Sequence, residues 1–150
     1  MDEMIQEILA NILTITQNTS LSESFYEAVL KRLASFGYTL KKDDSWGICF
    51  ASQKVESRIK NSCNTTNIPD GLFFVAVDMV CGEFLFAKKQ TGELKFTDID
   101  LGGAISEIRE GDVTVKFASG SSDEENFNSF LNVLMHGGEG DFVCYRKLRW

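Results

Sequence analysis

The sequence is short of the residues on which most catalytic and metal sites depend. It contains one histidine, one proline and four cysteines, and no two cysteines form a C-x-x-C pair. Structural zinc sites usually contain such closely spaced pairs, and nucleophilic catalysis needs a nucleophile beside a base. His136 falls in the last turn of a predicted helix, where a surface or capping role is expected. We therefore predict no metal, no cofactor, no catalytic residue and no enzymatic activity.

Signals for secretion or membrane insertion are also lacking. The first residues, "MDEMIQEIL", are acidic where a signal peptide would be basic. The most apolar stretch, 71–87, is 17 residues long and contains Asp78 and Glu83, whereas a membrane-spanning helix needs about 20 apolar residues. We predict no membrane contact, and we interpret the cysteines as reduced, mostly buried thiols of a cytosolic setting.

Basic residues are scarce and unevenly distributed. The chain has 15 Lys and Arg against 22 Asp and Glu, for a net charge of −7. Residues 91–141 hold 11 acidic and 3 basic side chains, a net charge of −8, whereas residues 142–150 carry +3. Because no broad basic face is available to neutralise phosphates, we do not expect tight binding to duplex DNA.

Apolar residues recur at helical spacing along most of the chain. This pattern predicts a single domain over residues 1–150, a mainly α fold built as a small bundle of four to five helices. The helices are predicted at about 3–16, 21–36, 45–61, 70–90 and 123–136. Ser20 with Glu23, and Ser122 with Glu125, have the spacing of capping boxes at helix starts, and Gly37 is a suitable terminator for the second helix.

Two of the predicted helices differ in their expected surroundings. The third is half exposed, with an apolar face assigned to Trp46, Cys49, Phe50, Val55 and Ile59. The fourth is apolar nearly all round, which places it at the centre of the bundle or gives one of its faces to another subunit. We expect one of its two acidic residues, Asp78 or Glu83, to be buried and paired with Lys or Arg.

The remaining segments are predicted to be less regular. Residues 91–122 form a long acidic connection with a short strand and at most one helical turn, around "AISEI". Val113, Val115 and Phe117 alternate as in a strand, which either pairs with another chain or forms a hairpin within its own. Residues 137–150 form an arm that ends in "YRKLRW", and an extended backbone would place Leu148 and Trp150 on one face.

An ordered set of motifs over residues 44–150 resembles a known family. The motifs are "VESRIKNSCN" (55–64), "IPDGL" (68–72), "DMVCGEFL" (78–85), "EGDVTVKF" (110–117) and the terminal "YRKLRW". Together they look like the small head–tail connector, or head-completion (adaptor), proteins of tailed bacteriophages. The helix predicted at 3–16 departs from that pattern, and the first 40 residues carry little of the likeness.

The resemblance implies a structural protein of the virion neck, assembled in the cytoplasm of the bacterial host. Such proteins form a ring of about a dozen subunits that joins the portal protein to a tail or stopper protein. DNA passes through the lumen without specific binding. The resemblance assigns portal docking to Tyr145, Arg146, Lys147, Leu148, Arg149 and Trp150. It assigns the contact between subunits to Asp112, Val113, Val115 and Phe117.

A second interpretation needs no ring. Tyr, Arg and Trp are the residue types enriched at binding hot spots, and the last six residues contain all three. The alternative function is therefore a monomeric cytosolic protein-binding module that uses its aromatic and basic C-terminal tail.

Overall fold

The computed structural model describes residues 2–15, 21–109 and 122–147 of the chain. The helices are α1 (Asp2–Ile15), α2 (Glu23–Ser35), α3 (Asp44–Cys63), α4 (Phe73–Gln90), α5 (Leu101–Arg109), α6 (Asp123–His136) and the single turn α7 (Phe142–Tyr145). Short 3₁₀ turns lie at Asp70–Leu72, Phe96–Asp98 and Glu139–Asp141. The predicted mainly α bundle is confirmed, and these residues form no strand.

Helix α4 is the central element of the bundle, which was the first of the two alternatives that its apolar sequence left open. It packs against α2, α3 and α6, while α1 covers α2 and α3. Gly82 allows the closest of these approaches, because a Cβ there would lie 2.7 Å from the Cβ of Leu134 on α6. A side chain at this position would push α6 away from α4.

Aromatic rings join the helices in the core. Phe36 meets Phe130 edge to face at 5.1 Å between ring centroids, and Tyr38 meets Phe84 in the same way at 5.6 Å. Burial of one such side chain contributes about 2–3 kcal/mol, and edge-to-face geometry adds about 0.5–1.5 kcal/mol. These contacts connect α2 and the segment after it to α4 and α6.

One of the two predicted helix caps is correct. Ser122 accepts a hydrogen bond from the backbone N–H of Glu125 at 3.2 Å and caps α6. Helix α2 begins two residues later than the predicted cap requires. Its N-cap is Ser22, which accepts from the N–H of Phe25 at 3.2 Å, so the assignment to Ser20 was wrong.

The connection after α4 contains more helix than predicted. Residues Leu101–Arg109 form α5, where at most one turn was expected. The backbone N–H of Asp100 donates to the carbonyl of Phe36 at 2.8 Å, and its carboxylate accepts from the N–H of Gly103 at 3.3 Å. Gly37, at φ +86°, ends α2 and leaves room for Asp100. The strand predicted over Val113–Phe117 lies outside the described residues.

Candidate docking surfaces on helix α3

Two large aromatic side chains are exposed near the start of α3. Trp46 is 59% exposed and Phe50 is 66% exposed, with ring centroids 6.1 Å apart. Their assignment to the buried face was therefore wrong. The buried stripe of α3 instead follows Ile48, Ser52, Val55, Ile59 and Cys63. The spacing of this stripe is present in the sequence. A serine stands at its centre, however, and two large aromatic residues lie outside it, so a search for apolar positions selects the wrong face.

A groove lies beside this aromatic pair, between the first half of α3 and the second half of α4. Its volume is about 420 Å³, and Phe50, Ala51 and Phe84 supply much of its apolar wall. Gly47 keeps it open at the α3 side, because a Cβ there would approach the Phe84 ring to 3.0 Å. We call this site the α3–α4 groove.

A buried carboxylate holds the start of α3 against the end of α4. Asp44 is 1% exposed and accepts hydrogen bonds from the hydroxyl of Tyr38 at 2.8 Å and the backbone N–H of Lys41 at 2.9 Å. The ammonium of Lys88 forms an ion pair with it at 2.7 Å. Burial lowers the pKa of Lys88, but the hydrogen bonds and charges of Asp44 and then Glu93 outweigh this effect and the pKa is raised.

A second buried carboxylate joins the middle of α3 to α4. Glu83 is 7% exposed and accepts from Nζ of Lys54 and from Nη2 of Arg58, each at 3.0 Å. This confirms the expectation that one acidic residue of α4 is buried and paired. The other, Asp78, forms a more exposed pair with Arg32 at 3.0 Å.

The entrance of the α3–α4 groove is acidic. Four carboxylates and two ammonium groups line it. Asp44 and Glu83 are buried and paired as described, whereas Asp43 and Glu93 are exposed at the edge. Glu93 also lies 3.3 Å from the ammonium of Lys88. The six charged groups that line the groove carry a net charge of −2, so its edge presents negative charge beside an apolar wall. Such a surface favours a ligand that is both basic and apolar.

The opposite end of α3 is covered by the C-terminal segment, residues 142–147. Phe142 is 7% exposed, and its carbonyl accepts from the thiol of Cys63 at 3.7 Å. The backbone N–H of Lys147 donates to the carbonyl of Cys63 at 2.7 Å, and Nδ2 of Asn64 donates to the carbonyl of Lys147 at 3.1 Å. The predicted extended arm is wrong for residues 142–145, which form a helical turn.

The residues predicted to dock on a portal are only partly described. The hydroxyl of Tyr145 lies against Gly71, 1.8 Å from where a Cβ on that glycine would stand. The side chains of Arg146 and Lys147 are exposed. Three further portal-docking residues (Leu148, Arg149, Trp150) lie outside the described residues, as do the four predicted subunit contacts (Asp112, Val113, Val115, Phe117).

Three of the four cysteines are buried, and Cys144 is exposed. Burial raises the pKa of the Cys49 thiol to about 11 and raises the pKa of Cys81 well above its ordinary value, which makes both weak nucleophiles at neutral pH. Nδ1 of His136 lies 2.8 Å from a carboxylate oxygen of Glu139 on the surface.

Metal sites and membrane-spanning helices are both absent from the part of the chain that the structure describes. Among the described residues, no group of three or more His, Cys, Asp or Glu side chains is placed to hold a metal ion. Their helices include none with both the length and the apolar character to cross a membrane.

Comparison with known proteins adds no relative. The chain matches no protein family, no curated protein and no solved structure.

Proposed function

We propose that the chain is a structural subunit of a phage neck, a head–tail connector that forms a ring between the portal and the tail or stopper protein. In this role the ring extends the conduit through which DNA passes. The proposal starts from the ordered motifs of residues 44–150 and is supported by the surfaces of α3.

The observation that carries the proposal is the exposure of Trp46 and Phe50. The core of the bundle is filled by other aromatic and aliphatic side chains, so these two are not needed to complete it. Clustered aromatic residues on a surface, next to a groove, are typical of protein–protein contacts. A subunit that must bind neighbours on several sides has a use for such a surface.

The distribution of charge agrees with a conduit for DNA. Residues 91–141 carry a net charge of −8, and a surface of this sign repels phosphate instead of retaining it. DNA would therefore slide past such a surface without specific binding. The three basic residues at 146–149 are too few to grip a duplex and better suit an acidic protein partner.

Assembly with the portal protein encoded in the same genome tests this function. We expect the purified chain and that portal to form rings visible by negative-stain electron microscopy, stacked on one face of the portal. A Trp46→Ala/Phe50→Ala variant should lose these rings. The matched control is Phe74→Ala, which removes another exposed aromatic side chain, on the α2 side of α4.

The same experiment also distinguishes the connector from the alternative function, a monomeric binding module. A protein that stays monomeric with and without the portal, and that leaves the portal unbound, would contradict the connector role. Capture of a single partner in a 1:1 complex by the basic tail would then favour the monomeric binding module.

A further inference from the structure

We infer that the α3–α4 groove of one subunit binds Leu148, Arg149 and Trp150 of a second copy of this chain. The inference rests on the proposed ring. It identifies a second copy of the chain as the partner of the α3–α4 groove. The contact itself involves only this protein and can be tested without a portal.

The tail cannot reach the aromatic edge of the groove in its own chain. Lys147 is bonded to Cys63 at the end of α3, and Phe50 and Trp46 lie 13 and 17 residues earlier on that helix. A rise of 1.5 Å per residue puts Phe50 about 20 Å and Trp46 about 26 Å from Cys63. Three residues beyond Lys147 place the Cα of Trp150 at most about 11 Å from it. Binding of Trp150 beside Trp46 and Phe50 therefore requires another copy.

The chemistry of the tail matches that of the groove. The groove combines an apolar wall of Phe50 and Phe84 with exposed carboxylates at Asp43 and Glu93. The tail combines Leu148 and Trp150 with the cations Arg146, Lys147 and Arg149. An extended backbone in the groove would direct Leu148 and Trp150 to the same side, towards the apolar wall. Arg149 would then face solvent, the exposed carboxylates and the Trp46 ring, which favours a guanidinium.

The two surfaces lie at opposite ends of α3, so the contact is head to tail. Each copy offers its tail to one neighbour and its groove to another. Heterologous contacts of this kind close into a ring when the rotation between copies allows it. A head-to-tail contact of this kind would build the ring that the proposed function requires. Because every copy carries both the tail and the groove, no other protein is needed for the contact.

Complementation between two defective variants tests the contact. Trp150→Ala removes the principal anchor of the tail and leaves the groove intact, whereas Trp46→Ala/Phe50→Ala removes the aromatic edge of the groove and leaves the tail intact. In sedimentation velocity, the wild-type chain should associate as its concentration rises, and each variant alone should remain monomeric. An equimolar mixture should form dimers and stop there, because only one productive contact remains.

A peptide assay covers the case in which wild-type rings form only on a portal. A fluorescent peptide of residues 145–150 is titrated into the Trp150→Ala chain and followed by anisotropy. We expect saturable binding that is about tenfold or more weaker for the Trp46→Ala/Phe50→Ala groove. It should be unchanged for Phe74→Ala and weakened by salt.

Specific outcomes would overturn the inference. These are the absence of peptide binding, equal binding by the intact and altered grooves, or binding of the peptide to the portal alone. If Trp150→Ala chains still form rings on the portal, any of these results refutes the contact between tail and groove but not the proposed connector role. Failure of the wild-type chain to form rings on the portal, with the peptide still bound in the groove, would instead refute the connector role alone.

Discussion

The two ends of helix α3 differ in what covers them. At the end near Cys63, the C-terminal segment folds back, buries Phe142 and satisfies backbone groups of Cys63 and Lys147. At the start, Trp46 and Phe50 are exposed beside the α3–α4 groove, and in the part of the chain that the structure describes no segment covers them. One helix is thus covered at one end and leaves an aromatic surface open at the other, which is the docking surface that we propose.

The difference shows how a small bundle could gain an interface without weakening its core. Every side chain of the Ile48–Cys63 stripe is buried, so α3 packs into the core without Trp46 or Phe50. The outer aromatic residues are then available to a partner. Changes at the covered end should lower stability, and changes of the exposed aromatic pair should lower association only.

The largest loss of stability is expected for Phe142→Ala at the covered end. The side chain is 7% exposed, and truncation of a buried phenylalanine costs about 3 kcal/mol or more. Urea denaturation should show this decrease, and the thiol of Cys63 should react faster with a thiol reagent. Val143→Ala alters the neighbouring exposed side chain and is the control. Equal effects of the two substitutions would mean that the segment does not stabilise α3.

A smaller loss is expected for Glu83→Gln on α4, whose carboxylate pairs with the middle of α3. The substitution removes the charge that Lys54 and Arg58 share and leaves two cations near one another. Breaking a buried ion pair costs about 3–5 kcal/mol. We expect about 2 kcal/mol here, because the partners are partly exposed and an amide still accepts one hydrogen bond.

The matched control for Glu83→Gln is Asp78→Asn on the same helix. Asp78 forms a more exposed pair with Arg32, and pairs at the surface contribute at most about 1 kcal/mol. Chemical denaturation of both variants measures and compares their losses in unfolding free energy. If Asp78→Asn proves the more damaging substitution, the contact between α3 and α4 does not depend on Glu83.

The sequence predicts most of the helices because their apolar stripes and end signals agree. α6 has a serine cap, acidic residues in its first turn and regular apolar spacing, and its predicted bounds are those observed. α5 was missed because two adjacent glycines argue against a helix. Its start is stabilised by a tertiary hydrogen bond from Asp100 to the carbonyl of Phe36, which local patterns do not contain.

The candidate site was less predictable than the fold, for a physical reason. Aromatic residues in an amphipathic pattern are usually buried, so Trp46 and Phe50 were placed inside. Their exposure follows from the stripe of Ile48, Ser52 and Val55, whose burial turns the aromatic pair outward. The covering of α3 by residues 142–147 depends on contacts between segments about 80 residues apart, and no local pattern contains them.

At the open end, Tyr38→Phe should cost about 1 kcal/mol at neutral pH, because it removes the hydroxyl that donates to buried Asp44. The pKa of Tyr38 is raised, first by burial and then by Asp44. Above the ordinary tyrosine pKa of about 10, the unfolded chain releases this proton while the folded chain retains it. Stability contributed by Tyr38 is therefore present below that pH and lost as the pH rises above it.

Denaturant titrations from pH 8 to 11 measure this dependence. The stability of the wild-type chain should fall more steeply above pH 10 than that of Tyr38→Phe. Tyr145→Phe, which removes a hydroxyl from a more exposed residue at the covered end, is the matched control. Parallel slopes for the wild-type chain and Tyr38→Phe would show that the Tyr38 hydroxyl is not responsible for the alkaline loss.

The smallest change in stability is expected for Trp46→Ala/Phe50→Ala. Both side chains are more than half exposed, and surface substitutions away from special features usually change the unfolding free energy by less than about 0.5 kcal/mol. The same variant should fail to assemble, whereas the effect expected for Phe142→Ala is a loss of stability. Measuring denaturation and sedimentation on both variants tests the comparison directly. If the double variant unfolds much more easily than the wild-type chain, the aromatic pair belongs to the subunit's own packing and the open end of α3 is not a docking surface.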